Sequence, residues 1–191
     1  MKTAPVAKSE NIVYQALKDP TMNRTSIFTS RKFEKTIKGF IAKKEEKFTD
    51  YHGSVGATRL YVSHKQCWIL IKSKTKYILV FPNIRKNDLE SLSSLFSEAF
   101  YAQLIYDGIF VDYSLIEKII GEVDLFETNN DRSSIGILNY CLQNLEIWKE
   151  EYQMFENMPF RELNSRLNNI PYSFLKLKYP KEEMNELLKT F

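Results

Sequence analysis

The densest run of polar side chains in the sequence is Thr128-Asn-Asn-Asp-Arg-Ser133, between a short apolar segment and a longer amphipathic one. The pattern predicts a strand that leads into a helix, with this run at the junction. Free amides at the helix start, the Ser133 hydroxyl and the Arg132 guanidinium suit a phosphate or a carboxylate. In the alternative interpretation, the run is an ordinary helix cap in which Asn130 or Asp131 accepts hydrogen bonds from the first-turn amides. Arg132 then pairs with a neighbouring carboxylate such as Asp124 or Glu127.

Two further polar residues are candidates for chemistry. Asn139 falls inside the amphipathic segment beside Leu138, and a buried amide there must find hydrogen-bond partners. It therefore either fastens the helix to a strand or lines a polar cavity. His52, within Tyr51-His-Gly-Ser54, suits a general base or a ligand contact, and the alternative is a loop histidine bonded to the backbone.

Basic side chains recur around the second predicted hairpin, interleaved with aromatic ones. Such a surface suits contact with a nucleic-acid backbone, whereas lysines also protect a sheet edge from pairing with other chains. The sequence pI of about 8.7 is below the value of about 9 that would make nucleic acid the leading interpretation. The basic residues are Lys72, Lys74, Lys76, Arg85 and Lys86, and the aromatic residues are Trp68, Tyr77 and Phe81.

The usual signatures of enzymes are missing from the sequence. It has no glycine-rich phosphate loop, no G-x-S-x-G segment and no H-E-x-x-H segment. Two histidines and two cysteines lack the spacing of a metal site, and apolar neighbours indicate that Cys67 and Cys141 are packed thiols. We therefore expect no metal and no cofactor.

The elements that must position these residues form an alternating strand and helix pattern. Three short apolar runs have connections too short for a parallel crossover, so they predict an antiparallel β-meander. The predicted fold is α+β, an antiparallel meander sheet with helices packed on it and a helical C-terminal extension. Predicted strands cover residues 25–28, 58–62, 66–72, 76–81 and 123–126; predicted helices begin at Arg31, Asn87 or Asp88, Ser114 and Asp131, and the last has an apolar stripe of Ile135, Leu138, Leu142, Leu145 and Trp148.

Length and composition bound the domain organisation. The 191 residues are 43% hydrophobic and 27% charged, which is typical of one soluble domain. We predict a loosely ordered arm over residues 1–24, a core domain over 25–158 and a helical extension over 159–191. The longest apolar run, Cys67–Ile71, is far too short to span a membrane, so we expect no membrane contact and a cytoplasmic protein.

The net charge of +3 combines two unlike parts. Residues 1–106 contain 18 Lys and Arg against nine Asp and Glu, whereas residues 107–191 contain nine against fifteen. Such segregation favours contact with a protein partner or with a second copy of the chain.

Two separated segments, Tyr51-His-Gly-Ser54 and Asn130-Asp-Arg-Ser133 with Asn139, give the chain a resemblance to a known family. The chain resembles a bacterial domain-of-unknown-function family marked by a W-H-A-N-type segment before a β-meander and an N-D-R-S segment, followed by Asn, at a helix start. The likeness covers about residues 26–148. Tyr51 stands where that family has Trp, and Gly53-Ser54 stands where it has Ala-Asn.

The resemblance implies a bacterial, phage or plasmid setting and a shared site, but no named reaction. It suggests that His52, Asp131, Arg132, Ser133 and Asn139 converge, either as a pocket for an anionic ligand or as a structural hydrogen-bond knot.

The leading hypothesis for function is a non-enzymatic binding or regulatory domain that contacts a macromolecular partner. One alternative is an enzyme or sensor that binds a phosphate-bearing ligand through the Asp131-Arg132-Ser133 helix start and His52. The other is a phage or plasmid counter-defence protein that occupies a partner.

Overall fold

The computed structural model describes residues 23–42 and 53–191, which form a five-stranded sheet with helices on both faces. The strand order is β4-β3-β2-β1-β5. Residues 1–22 of the predicted arm, and Tyr51 and His52 of the second segment, lie outside the described residues. The strands are β1 Arg24–Thr29, β2 Val55–Val62, β3 Lys65–Lys72, β4 Ile78–Phe81 and β5 Glu122–Phe126.

One half of the sheet is antiparallel. β2 pairs with β3, and β3 pairs with β4, through connections of two and five residues. Ser63 and His64, which link β2 to β3, both have positive φ (47° and 66°), as a tight hairpin with matching strand twist requires. The short connections therefore require the antiparallel pairing of β2, β3 and β4, as the sequence predicted.

The other half of the sheet is parallel, because β1 runs in the same direction as both of its neighbours. Ile27 pairs with Val55 of β2 on one side and with Leu125 of β5 on the other. The α+β class is confirmed, but the prediction of a wholly antiparallel sheet is wrong: the sheet is mixed. The short-connection rule does not apply to β1 and β5, which are about a hundred residues apart in sequence.

Six α-helices in the described part of the chain cover the two faces. α1, α2, α3 and α6 pack on the face that carries Trp68 and Leu70, while α4 and α5 pack on the face that carries Cys67 and Ile69. These neighbouring β3 residues point to opposite faces, as alternation along a strand requires. The helices are α1 Arg31–Ile37, α2 Leu92–Tyr106, α3 Tyr113–Ile120, α4 Arg132–Tyr152, α5 Phe160–Asn168 and α6 Pro180–Leu188.

The segment predicted as a C-terminal extension adds core side chains to both faces. α5 contributes Leu163 and Leu167 to one apolar cluster, and α6 contributes Met184 and Leu188 to the other. No helix in the described part of the chain combines the length and apolarity needed to cross a membrane.

Two asparagines of α5 take the place of a strand at the outer edge of β4. The Asn168 side chain accepts from Ile78 N–H at 2.7 Å and donates to Ile78 C=O at 2.9 Å. One helical turn earlier, Asn164 makes the same pair of contacts with Val80, at 2.7 and 3.4 Å. Both asparagines are almost fully buried. The backbone groups of this edge are therefore satisfied without another strand.

Candidate functional site

The carboxyl ends of β1 and β5 form a crevice because the chain leaves these adjacent parallel strands toward opposite faces of the sheet. After β1 the chain enters α1, whose Phe33 and Ile37 pack on one face. After β5 it enters α4, whose Ile137 and Leu138 pack on the other. In sheets of this kind, the divergence of connections beside neighbouring parallel strands is the usual place for a ligand.

Two adjoining hollows make up this crevice. The α4 hollow, of about 310 Å³, lies between the first residues of α1 and the loop before α4. The α1 hollow, of about 580 Å³, lies between the rest of α1 and the end of β5. Phe28, Thr128 and Asn129 line both hollows.

The α4 hollow has a cationic side. Arg31 and Lys32 line it, and both side chains are exposed without an ion-pair or hydrogen-bond partner among the described residues. Among the described residues that line it, Asp131 is the only acidic one, and the ammonium of Lys76 lies 4.0 Å from the Asp131 carboxylate. The hollow therefore has an excess of positive charge.

Asp131 caps α4 through both carboxylate oxygens. Its Oδ1 accepts from the Ser133 amide at 3.0 Å, from the Ser134 amide at 3.4 Å and from the Ser133 hydroxyl at 2.9 Å. Its Oδ2 accepts from the Ser134 hydroxyl at 2.6 Å. Because the carboxylate already occupies these donors, an anion in the crevice must be held by side chains rather than by the start of α4.

Lys76 joins the turn between β3 and β4 to this cap. Its Nζ donates to Ser133 Oγ at 2.7 Å, and Ser134 Oγ lies 3.4 Å away. Burial lowers the pKa of Lys76, and the negative charge of Asp131 opposes that shift. For Asp131, partial burial raises the pKa, but the hydrogen bonds from Ser134 and Ser133 and the charge of Lys76 outweigh it, so the net shift is downward.

The five residues predicted to share a site are only partly brought together. Asp131 and Ser133 form the cap with Lys76, and Asp131 also lines the α4 hollow. Arg132 is exposed, lines none of the described hollows and has no partner among the described residues. Asn139 is exposed, so its predicted burial is wrong: α4 turns Ile137 and Leu138 toward the sheet and residue 139 toward solvent.

His52 lies outside the described residues, but the chain directly after it is close to the cap. The Ser73 amide donates to the Ser54 carbonyl at 2.8 Å. A Cβ atom on Gly53 would lie 2.7 Å from Lys74 Cγ. The segment after His52 thus adjoins the turn that carries Lys76, and the convergence of His52 with the cap stays a prediction.

The five basic residues proposed for nucleic acid do not form one exposed surface. Lys72 and Lys76 are buried, with 8% and 6% of their surface exposed, whereas Lys74, Arg85 and Lys86 are exposed. The aromatic residues interleaved with them, Trp68, Tyr77 and Phe81, belong to the apolar cluster on one face of the sheet and cannot stack on bases. Nucleic-acid binding through the three exposed residues stays a prediction.

The sequence patterns did not indicate the cationic and aromatic residues that line the crevice. Arg31 and Lys32 read as ordinary charged residues of an amphipathic helix, and Phe28 as one residue of a short strand. Only the parallel pairing of β1 with β5 places them opposite Thr128 and Asn129, and a single sequence has no local signal for that pairing. The interpretation of Cys67 and Cys141 as packed thiols is confirmed, since both are fully buried.

These features define an α+β domain with a mixed five-stranded sheet and a crevice at the ends of two parallel strands. Residues 26–183 match DUF6933, a domain of unknown function, and the chain belongs to that family. The match confirms the expected domain-of-unknown-function membership and extends past residue 148, while the bacterial setting stays a prediction. Neither a curated protein nor a solved structure matches the chain significantly.

Proposed function

We propose that this protein is a binding domain that holds a small anionic ligand in the crevice at the ends of β1 and β5. The observation that carries the proposal is the pair Arg31 and Lys32, which line the α4 hollow without a counter-ion among the described residues. Guanidinium and ammonium groups are the side chains that most often bind phosphate and carboxylate in proteins. This role corresponds to the phosphate-ligand alternative, with the cations supplied from α1.

The remaining polar groups of the α4 hollow fit the same ligand. Ser30, Asn129 and Asn130 add hydroxyl and amide groups to its lining. The Asp131 carboxylate would repel an anion, but the hydrogen bonds from two serines and the nearby Lys76 ammonium partly neutralise it. The volume of about 310 Å³ is at the small end of ligand sites, which is suitable for a phosphate or carboxylate group.

Isothermal titration with pyrophosphate tests this proposal. The protein with Arg31→Ala and Lys32→Ala should bind pyrophosphate at least about tenfold more weakly than wild type, because two charge-assisted contacts are lost. Arg85→Ala with Lys86→Ala is the matched control, since it removes the same two charges from exposed positions that line none of the described hollows. Equal weakening by both pairs, or no binding by wild type, would overturn the proposal.

A second candidate is self-association through the outer face of α4. Tyr140 and Ile147 are 42% and 64% exposed and lie two helical turns apart on one side of the helix. The Tyr140 ring also contacts Tyr172, with 6.4 Å between the ring centroids. The opposite net charges of residues 1–106 and 107–191 favour attraction between two copies of the chain.

Sedimentation velocity tests the second candidate. The wild-type protein should sediment as a dimer at high protein concentration, and Ile147→Ser should shift it to monomer. Glu146→Ser, at the neighbouring exposed position, is the control and should leave the dimer intact. A wild-type protein that remains monomeric would contradict self-association.

A further inference from the structure

The floor of the α1 hollow is aromatic. Phe28 of β1 and Phe126 of β5 are paired residues of the parallel ladder, and their ring centroids lie 5.6 Å apart at an angle of 32°. Phe126 is only 4% exposed, whereas Phe28 is half-buried and lines both hollows. A partly exposed ring held against a buried one offers a fixed apolar face toward the crevice.

The charges around this aromatic floor are balanced. Lys35 and Lys38 of α1 and its following turn line the α1 hollow, together with Glu34 and Glu127. The α4 hollow, in contrast, has the excess positive charge of Arg31 and Lys32. The crevice is thus divided into a larger, charge-balanced part with an aromatic floor and a smaller cationic part.

The two parts adjoin at the residues that they share. Thr128 and Asn129 line both hollows beside Phe28, so a molecule that lies over Phe28 is next to the cationic part. A phosphate alone would occupy the cationic part only. A ligand that combines a flat ring with a phosphate matches both parts at once.

From this division we infer that the ligand is a phosphorylated compound with a planar aromatic ring, such as a nucleotide. The ring lies against Phe28 in the α1 hollow, and the phosphate is held by Arg31 and Lys32 in the α4 hollow. This inference rests on the proposed anion site and adds the ring to it. Stacking on an aromatic side chain is tolerant of ring identity, so the prediction is for the compound class.

Isothermal titration with matched ligands separates the ring from the phosphate. The probes are ADP, GMP, UMP and flavin mononucleotide, each compared with ribose 5-phosphate, which has a phosphate but no aromatic ring. At least one of the four should bind about tenfold more tightly than ribose 5-phosphate. In Phe28→Leu, which keeps an apolar side chain, that advantage should shrink to less than about threefold while ribose 5-phosphate binding is unchanged.

Tyr106→Leu is the matched control, because Tyr106 is a half-exposed aromatic residue that lines a different hollow, beside α5. Near-UV circular dichroism of both variants verifies that the tertiary structure is retained. If no ring-bearing probe exceeds ribose 5-phosphate, the ring inference is wrong while the anion site stands. Equal effects of Phe28→Leu and Tyr106→Leu would also overturn it, and failure of every probe, ribose 5-phosphate and pyrophosphate included, would overturn both proposals.

Discussion

The ammonium of Lys76 lies 2.7 Å from the hydroxyl oxygen of Ser133, which ties the turn between β3 and β4 to the first turn of α4. Through Ser133 and Ser134, the same ammonium supports the Asp131 carboxylate that caps the helix. This part-buried contact holds the start of α4 beside the turn that carries Lys76.

Replacing Lys76 with methionine should destabilise the fold by about 1–3 kcal/mol. The change keeps the apolar part of the side chain. It removes the ammonium group that lies beside Asp131, which caps α4, and beside the two serines bonded to Asp131. Urea unfolding measures the difference, and Lys86→Met, at an exposed position, should stay within about 0.5 kcal/mol of wild type. Equal stability of Lys76→Met and Lys86→Met would show that the contact does not support the fold.

Asp131 should make the stability depend on acid pH. Because its folded-state pKa lies below the ordinary value of 3.8, the ionised carboxylate stabilises the fold above that pH. The contribution is lost as the pH falls through the lower folded-state pKa. The free energies of unfolding of wild type and Asp131→Asn should therefore differ most near neutral pH and converge below about pH 4.

Asparagine retains capping ability, so this variant isolates the charge of Asp131. Chemical unfolding at a series of pH values provides the measurement. Asp112→Asn, at the start of α3 where the side chain makes no cap hydrogen bond, is a control that should stay within about 0.5 kcal/mol of wild type at neutral pH. If the difference in the free energy of unfolding between wild type and Asp131→Asn stays constant down to pH 3, the charge of Asp131 does not stabilise the fold.

Asn168→Ala should open the outer edge of β4. The change leaves the buried N–H and C=O of Ile78 without their side-chain partners, at a cost of about 2 kcal/mol or more. Hydrogen exchange should show faster exchange of the Ile78 amide. Asn169→Ala is the control, because Asn169 is exposed and its side chain donates only to Ser165 of the preceding helix. Unchanged protection of Ile78 would show that another group satisfies this edge.

Two glycines should respond to alanine in opposite directions. Gly121 has φ of 58°, and a Cβ atom there would lie 1.7 Å from the Asn23 carbonyl oxygen, so Gly121→Ala should destabilise the fold by more than about 2 kcal/mol. Gly136 lies on the exposed side of α4 with nothing within 4 Å of such a Cβ, so Gly136→Ala should stabilise the fold by about 0.5–1 kcal/mol. Thermal unfolding of both variants measures the signs, and two changes of the same sign would contradict this placement.

Local patterns predicted most of the elements correctly. The three apolar runs correspond to β2, β3 and β4, and the predicted helix after Asp131 corresponds to α4, with Asp131 as its cap. The stripe on α4 was partly wrong, since Ile135 is 41% exposed and Cys141 is fully buried. Cys141 packs as an apolar residue, while Ile135 lies at the edge of the crevice, where no element of residues 23–42 and 53–191 covers it.

Long-range relationships could not be predicted. The pairing of β1 with β5 joins residues about a hundred positions apart, and no turn or short connection specifies it. An asparagine that fastens a helix to a strand was one interpretation of Asn139, but Asn139 is exposed. Asn164 and Asn168 make this kind of contact instead. Both interpretations of the basic residues around the second hairpin place Lys76 at an exposed position, but Lys76 is buried. Its burial depends on Asp131 and two serines that are distant in sequence.

The location of the anion site is tested most directly by a nuclear magnetic resonance titration of the labelled protein with pyrophosphate. Pyrophosphate bound in the crevice should cause saturable shifts of backbone amides in residues 28–32 and 128–135, with smaller changes around Arg85 and Lys86. These shifts should be lost in the protein with Arg31→Ala and Lys32→Ala. Saturable shifts confined to other parts of the fold, or no shifts at all, would show that this crevice does not bind an anionic ligand.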